Sequence, residues 1–156
     1  MSNNLRGSKR VSIYLNEKGI QVRVVTLDES TRTSQLAADA LGCTVAEIAK
    51  SIVFKAGESA VVVVISGDKR VDAKKVSAHL GVKVGNADAD TVKALTGYVI
   101  GGVPPFPHDP NVNVLLDSSL TRFEKVWAAA GTPNSVMNLT VGLLNGIVGD
   151  FVDVAN

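Results

Sequence analysis

The segment from Gly97 to His108 has the residue types best suited to bind or act on a substrate. It contains three glycines and three prolines. The prolines remove backbone donors and fix φ, which stiffens the segment, whereas Gly101 and Gly102 let another group approach the backbone closely. A rigid backbone with exposed N–H groups is what an oxyanion or a substrate carbonyl requires. The alternative is a turn with a purely structural role.

Two further side chains could take part in chemistry, Lys50 and Cys43. Lys50 precedes an apolar stretch at 52–54, so it is either a solvated surface residue or a half-buried cation that faces a pocket. Such a cation would stabilise negative charge on a bound substrate. Cys43 has no histidine near it in sequence, so a small buried hydrophobic side chain is a better interpretation than a nucleophile. No serine lies in a nucleophile-elbow pattern, so a Ser-His-Asp triad is not supported.

Short apolar strands and capped helices must position these residues. The pattern predicts strands over 22–27, 52–54, 60–65, 82–84, 112–116, 125–128 and 136–139. It predicts helices over 11–20, 34–41, 45–50, 72–80, 88–95 and 141–147, with cap candidates at Thr31–Thr33, Thr44, Asp72, Asp88 and Asp90. The run 60–65 lacks polar alternation, which predicts a central strand covered on both faces.

The order of these elements predicts the fold class. Strands and helices mix without strict alternation, which favours an α/β protein of the α+β type, with a mixed central sheet surrounded by helices. The chain has 156 residues and no composition break that would divide it. We expect a flexible leader over residues 1–7 and one domain over residues 8–156.

Composition excludes several function classes. The chain has 16 basic and 15 acidic residues and a net charge of +1, which argues against binding DNA or other long nucleic acid by charge. One cysteine and two histidines predict neither a disulfide framework nor a metal site. No nucleotide-binding fingerprint is present, so no cofactor is expected. The longest apolar run is too short for a bilayer, and the polar amino terminus does not resemble a signal peptide, so we expect a cytoplasmic protein without a membrane partner.

Several motifs, taken in order, resemble the YbaK/ProX family. They are Ala49–Phe54, Gly67–Lys75, Gly97–Pro105, Asp117–Leu120 and Val126–Gly131. The resemblance covers about residues 8–150, and the shared order and spacing of the motifs make it more specific than any one motif. Members are free-standing aminoacyl-tRNA deacylases, similar to the editing insertion domain of bacterial prolyl-tRNA synthetases.

The resemblance implies roles for particular residues. Lys50 stands at the place of the family's hallmark lysine, and Gly101–Pro105 matches the Gly-x-x-x-Pro loop that lines the aminoacyl pocket. We therefore predict Lys50, Gly101 and Gly102 as catalytic residues. The predicted substrate-binding residues are Pro104, Pro105, His108, Thr132 and Asp117. His108 and Thr132 depart from the family pattern, and Asp117 fits a helix cap better than a binding residue.

A basic cluster around one turn is either a solvated face or a contact for acceptor-stem phosphates. Its members are Lys69, Arg70, Lys74 and Lys75. The resemblance thus implies two partners, the acceptor end of an aminoacyl-tRNA and, as a second candidate, prolyl-tRNA synthetase.

The predicted function is aminoacyl-tRNA editing in trans, on a proline tRNA mischarged with alanine, cysteine or serine. Water would attack the ester carbonyl with help from the neighbouring ribose hydroxyl, without a metal or a covalent protein intermediate. Pocket size would select small amino acids. Two alternatives remain: a non-catalytic module that binds an amino acid, an RNA end or a synthetase, and an unrelated small-molecule esterase.

Overall fold

The computed structural model describes residues 3–27 and 33–156, and these contain five α-helices and eight β-strands. The helices are α1 (Asn3–Glu17), α2 (Ser34–Leu41), α3 (Ala73–Leu80), α4 (Ala89–Thr96) and α5 (Val141–Ile147). The strands are β1 (Arg23–Thr26), β2 (Ile48–Ala56), β3 (Ser59–Ser66), β4 (Gly85–Asn86), β5 (Asn113–Asp117), β6 (Lys125–Ala129), β7 (Ser135–Thr140) and β8 (Phe151–Val152). None of these helices is long and apolar enough to cross a membrane.

The strands form one mixed sheet in the order β1-β7-β6-β2-β3-β5-β8, with β4 paired to β2. The β2–β3 hairpin turns at Gly57, whose φ of 63° lies in the left-handed region that favours glycine. The pairs β2–β6, β3–β5 and β5–β8 are parallel, and the other pairs are antiparallel. This sheet with its surrounding helices confirms the predicted fold class.

The core lies on both faces of β3, whose residues 60–65 are at most 1% exposed. On one face, α1, α4 and α5 pack against Val62 and Val64. On the other face, α3 packs against Val61 and Val63, and α2 packs against Ile48 of β2. The prediction of a central strand covered on both faces is therefore confirmed.

Local signals define most helix boundaries. The Thr33 hydroxyl accepts a hydrogen bond from the Leu36 amide at the start of α2, and the Asp72 and Asp88 carboxylates do the same for α3 and α4. The three helices end at glycines with left-handed φ, namely Gly42, Gly81 and Gly97. The other cap candidates before α2, Thr31 and Arg32, lie outside the described residues.

Residues 3–7, which the sequence assigned to a leader, belong to α1, which begins at Asn3. Gly7 is buried and packs against Gly131 so closely that a Cβ at either position would meet the other's backbone. Such a contact between distant segments leaves no signal in local composition. Residues 1–2 of the predicted leader lie outside the described residues.

The predicted helix over 45–50 is a single 3₁₀ turn, Val45–Glu47. The capping box of Thr44 and Glu47 is present, but β2 begins at Ile48, so Lys50 lies on a strand. Residues 82–84 do not form the predicted strand; β4 follows at Gly85–Asn86. The short strand β8 was not predicted.

Candidate active site

A cavity of about 490 Å³ opens beside β2, at the point where the neighbouring strand β6 leaves it. Strand β6 pairs with β2 at residues 48–49, and β4 pairs with it at residues 54–55. Between these two pairings, no described strand covers this edge of β2. The cavity is lined by Thr33, Ser34, Gln35, Ala37, Val45, Ile48, Ala49, Lys50, Ser51, Ile52, Gly67, Ile100, Gly101, Val103, Trp127, Ala129, Pro133, Ser135 and Val136.

The register of the β2–β3 hairpin decides which backbone groups of β2 face this open edge. The Gly67 amide donates to the Ile48 carbonyl at 2.7 Å, so by the alternation of an antiparallel ladder Lys50 also bonds to β3. The N–H and C=O of Ser51 then point to the open side. The Ser51 hydroxyl is buried with no hydrogen-bond partner in the described residues. Ser51 therefore presents unpaired polar groups next to the cavity, which buried groups rarely do.

Lys50 contributes the cation of the cavity. Its side chain is half-buried, and its Nζ donates a long hydrogen bond of 3.4 Å to the Gly67 carbonyl. Burial lowers the pKa of Lys50, the nearby Asp68 carboxylate raises it, and Arg70 lowers it. An ammonium has three protons, so Lys50 retains donors for a ligand.

The Asp68 carboxylate affects Lys50 through its charge, and it is itself bound by Arg122. The Arg122 guanidinium donates to both Asp68 oxygens, at 2.7 and 3.0 Å. These hydrogen bonds lower the pKa of Asp68. Asp68 forms its ion pair with Arg122 and, among the described residues, none with Lys50.

The two predicted glycine donors of the loop differ. Gly101 lines the cavity with φ of +86°, and its N–H has no acceptor among the described residues. The Gly102 N–H donates to the Val99 carbonyl at 2.9 Å. A Cβ on Gly102 would lie 2.8 Å from the Thr132 Cα, so this glycine allows two backbones to approach. The prediction of two free donors is thus corrected to one, at Gly101.

Pro104, Pro105 and His108 do not line the Lys50 cavity. The His108 Nε2 lies 2.7 Å from the Pro104 carbonyl oxygen, and its ring packs edge-on against Tyr98 with centroids 5.4 Å apart. Burial lowers the pKa of His108, which favours the neutral ring. Pro105 and His108 border a second cavity of about 380 Å³. Their contacts are made within the protein and stabilise the loop on the side away from the Lys50 cavity.

Thr132 and Asp117 also lie outside the cavity lining. Thr132 is buried, and its hydroxyl bonds to the Asn134 side chain at 3.0 Å and to the Ser135 hydroxyl. Its neighbours at 133 and 135 form the wall instead. Asp117 is fully buried and accepts hydrogen bonds from the amides of Ser119 and Val154, at 2.9 and 2.8 Å. It is a structural cap.

The predicted basic cluster is only partly near the cavity. Arg70 is exposed, and its charge lowers the pKa of Lys50. Lys69 and Lys74 are exposed. Lys75 donates to the Ala155 carbonyl at 2.8 Å and forms an ion pair with Asp153, so it is already engaged.

Sequence reasoning missed several parts of the wall. Ser51 follows Lys50 directly, yet only the departure of β6 shows that it faces a cavity. The first residues of α2 and the indole of Trp127 also border the site. The sequence placed Trp127 in a family motif but gave it no role in the site. It also predicted the cap of α2 but not that the start of this helix borders the cavity.

Cys43 does not line the cavity and packs with the small apolar cluster under α2. Burial, and then the charge of Glu47, raise the pKa of its thiol, which disfavours the nucleophilic thiolate. In residues 3–27 and 33–156, no three histidine, cysteine or carboxylate side chains converge as a metal site would require.

Comparison with known proteins decides what kind of site this is. Residues 28–145 match the model of the aminoacyl-tRNA editing domain family. The chain belongs to this family. This finding confirms the resemblance carried by the motifs around Lys50 and the Gly101–Pro105 loop, and aminoacyl-tRNA editing is the function for which this family is named.

Individual relatives of the editing domain agree. The chain is 36% identical over 135 residues to the uncharacterized protein YwhH of Bacillus subtilis, with 85% of each chain covered. It is 27% identical over 129 residues to the multifunctional Ser/Thr-tRNA deacylase ProXp-y of Escherichia coli, covering 79% of this chain and 77% of that one. A solved structure described as a proposed trans-editing enzyme for prolyl-tRNA synthetase superposes with a TM-score of 0.88 and 34% identity, over 100% of this chain and 99% of that one.

Proposed function

We propose that this editing domain hydrolyses, in trans, the ester of a tRNA mischarged with a small amino acid. One observation carries the proposal: Lys50 and Gly101 line one cavity, beside an edge of β2 that is open to a ligand. A half-buried cation and a free backbone donor around one space are the groups that stabilise an ester carbonyl as it becomes an oxyanion. We also propose that it acts in the cytoplasm, where charged tRNA is used.

The reaction needs only water and groups already in place. Water adds to the ester carbonyl, the bond from that carbon to the ribose oxygen breaks, and the ribose oxygen takes up a proton. The Gly101 N–H would donate to the carbonyl oxygen. The Lys50 ammonium would bind the terminal phosphate or ribose and would also stabilise the negative charge that develops on the carbonyl oxygen. No histidine, aspartate or glutamate lines the cavity in the described residues. The neighbouring ribose hydroxyl is therefore our candidate to assist the water.

The walls of the cavity support a small substrate side chain. Val103, Trp127 and Val136 are apolar, and the small residues Ser51 and Ser135 also border the cavity. The Ser51 hydroxyl is buried, and the Ser135 hydroxyl is bonded to Thr132. Pocket size separates substrates by about 1–3 kcal/mol per methylene, so such a site works best on small residues. We propose alanine, cysteine or serine; the name of the ProXp-y relative favours serine.

The tRNA and the partner are proposals that rest on the relatives. The structural neighbour described for prolyl-tRNA synthetase supports proline tRNA and a synthetase partner. Exposed Lys69, Arg70 and Lys74 would contact acceptor-stem phosphates without reading sequence. Lys75 joins them only if its ion pair with Asp153 opens.

A panel of charged tRNAs tests the function. Alanyl, cysteinyl, seryl and threonyl esters of proline tRNA, and the same amino acids on their own tRNAs, are incubated with catalytic amounts of protein. We expect many turnovers of free amino acid from at least one small ester on proline tRNA. Binding without turnover would indicate the non-catalytic module. Equal turnover of simple amino acid esters would indicate an esterase indifferent to RNA.

A further inference from the structure

One face of β6 extends from the Lys50 cavity to a third cavity, which is lined by two basic residues. Residues 125, 127 and 129 point to the same side of the strand, because side chains alternate along a strand. Trp127 and Ala129 line the Lys50 cavity, whereas Lys125 lines a separate cavity of about 620 Å³. At about 3.3 Å per residue, the path from Lys125 to Ala129 is about 13 Å long.

Arg23 joins Lys125 on this face. It pairs with Asn138 of β7, which in turn pairs with Trp127, so the three residues form a row across three strands. The Arg23 guanidinium lies 5.9 Å from the centre of the Trp127 ring. We call the four residues Arg23, Lys125, Trp127 and Asn138 the β6 track. It combines cations, an aromatic ring and an amide on one sheet face.

The charge of the β6 track is unbalanced. Arg23 and Lys125 are both exposed, and neither has an ion-pair partner among the described residues. The 620 Å³ cavity that they line contains no carboxylate in its described wall. An exposed surface with free cations next to an aromatic ring is suited to a phosphate backbone and a base.

We propose that the β6 track binds the single-stranded 3′ end of the tRNA and directs its last ribose to Lys50. This inference rests on the proposed function and names the path by which the substrate enters. Phosphates of the nucleotides before the last one contact Arg23 and Lys125, and Trp127 offers an aromatic surface to a base. Two cations on one face of the sheet suit a short single strand better than a duplex, and the net charge of +1 agrees with few phosphate contacts.

The chain provides its own probe, because Trp127 is its single tryptophan. A short single-stranded RNA ending in CCA is titrated into the protein, and Trp127 fluorescence and the anisotropy of the labelled RNA are followed at several salt concentrations. We expect a saturable change in Trp127 fluorescence. A blunt RNA duplex of the same length should bind more weakly.

The double variant Arg23→Gln/Lys125→Gln tests the two cations. Each phosphate contact contributes about 0.7 to the slope of log affinity against log salt for single strands, so we expect the slope to fall by about 1.4. The matched control Lys55→Gln/Lys83→Gln removes two exposed cations near β4 and should leave slope and affinity unchanged. Circular dichroism checks that both variants fold.

Three results would overturn the track: no change in Trp127 fluorescence at saturating RNA, an unchanged salt slope in the double variant, or tighter binding of the duplex. The tRNA panel separates this failure from failure of the proposed function. If the panel shows turnover but the double variant keeps the KM of the wild type, the track is wrong and the deacylase stands. If RNA binds the track but no ester is hydrolysed, the deacylase is wrong.

Discussion

The two halves of the segment 97–108 differ in composition and in role: the first half contains its three glycines, and the second half contains its three prolines. In its first half, Ile100 and Gly101 border the cavity, and the Gly101 N–H has no acceptor among the residues that the structure describes. Its second half, Pro104 to His108, turns away and uses its polar groups within the protein. A rigid site needs both: one half leaves a donor unpaired, and the other half holds it in place.

The second half is anchored through Tyr98. Its hydroxyl donates to the Pro107 carbonyl at 2.8 Å, and burial raises the pKa of Tyr98 to about 12. The Arg10 guanidinium from α1 stacks over the same ring at 4.9 Å and forms an ion pair with Asp109. The helix that was predicted in part as a leader therefore supports the loop of the candidate site.

The largest effect is expected at the cavity side. Lys50→Ala should lower the rate of deacylation by about 10²–10³-fold, the usual cost of removing a donor to a developing oxyanion. The fold should persist, because Lys50 is only half-buried. Lys55→Ala, an exposed lysine on the same strand, is the control and should keep full activity. Activity of Lys50→Ala close to that of the control would remove Lys50 from the mechanism.

Gly102→Ala tests the close approach of the loop to the Thr132 backbone, at the boundary between the two halves. A Cβ would lie 2.8 Å from the Thr132 Cα, so the backbone must shift, and we expect a loss of about 1–3 kcal/mol in the free energy of unfolding. Activity should fall as well, but less than in Lys50→Ala. The control Gly142→Ala has open space in α5 and should stabilise the protein by about 0.5–1 kcal/mol. Chemical denaturation measures both; equal stability of the two variants would contradict the close approach.

His108→Ala should act on stability more than on catalysis. It leaves the buried Pro104 carbonyl without its partner, at a cost of about 1–3 kcal/mol. Because burial lowers the pKa of His108, the unfolded chain binds a proton more readily than the folded one. The contribution of His108 to the free energy of unfolding is therefore fully present above about pH 6.5, its ordinary pKa, and is lost as the pH falls through the lower pKa of the folded state. Chemical denaturation from pH 8 to pH 5 should show the free energy of unfolding of the wild type falling with pH, and that of His108→Ala falling less steeply. Parallel pH dependences of the two proteins would contradict this account.

The smallest effect is expected at Cys43. Its thiol packs with the apolar cluster under α2 and does not line the cavity. Cys43→Ala should therefore change the deacylation rate less than any variant above. A rate as low as that of Lys50→Ala would instead identify the thiol as a nucleophile.

Features encoded by neighbouring residues could be predicted from the sequence. The caps at Thr33 and Asp72 depend on residues a few positions apart, and the uniform run 60–65 identified the central strand. The start of α1 at Asn3 was not predicted, because the packing of Gly7 on Gly131 joins residues far apart in sequence. The helix over 45–50 was overextended because the pairing of Ile48 with Trp127 outweighs the local capping signal.

The site shows the same difference between features encoded locally and features that depend on contacts between distant segments. Lys50 and Gly101 were found through family motifs, and the cavity brings them together. Ser51 was missed because its exposure depends on where β6 leaves β2, which no local pattern records. The different roles of Gly101 and Gly102 depend on one hydrogen bond to Val99 and on the path of Thr132.

The central claim is that Lys50 and Gly101 hold the same aminoacyl ester. The most direct test is nuclear magnetic resonance of ¹⁵N-labelled protein with a stable amide analogue of seryl-adenosine. The Lys50 ammonium and the Gly101 amide should shift together and saturate at the same ligand concentration, while the Gly102 amide, bonded to Val99, should move less. Shifts confined to His108 and the second cavity, with Lys50 and Gly101 unmoved, would contradict the account.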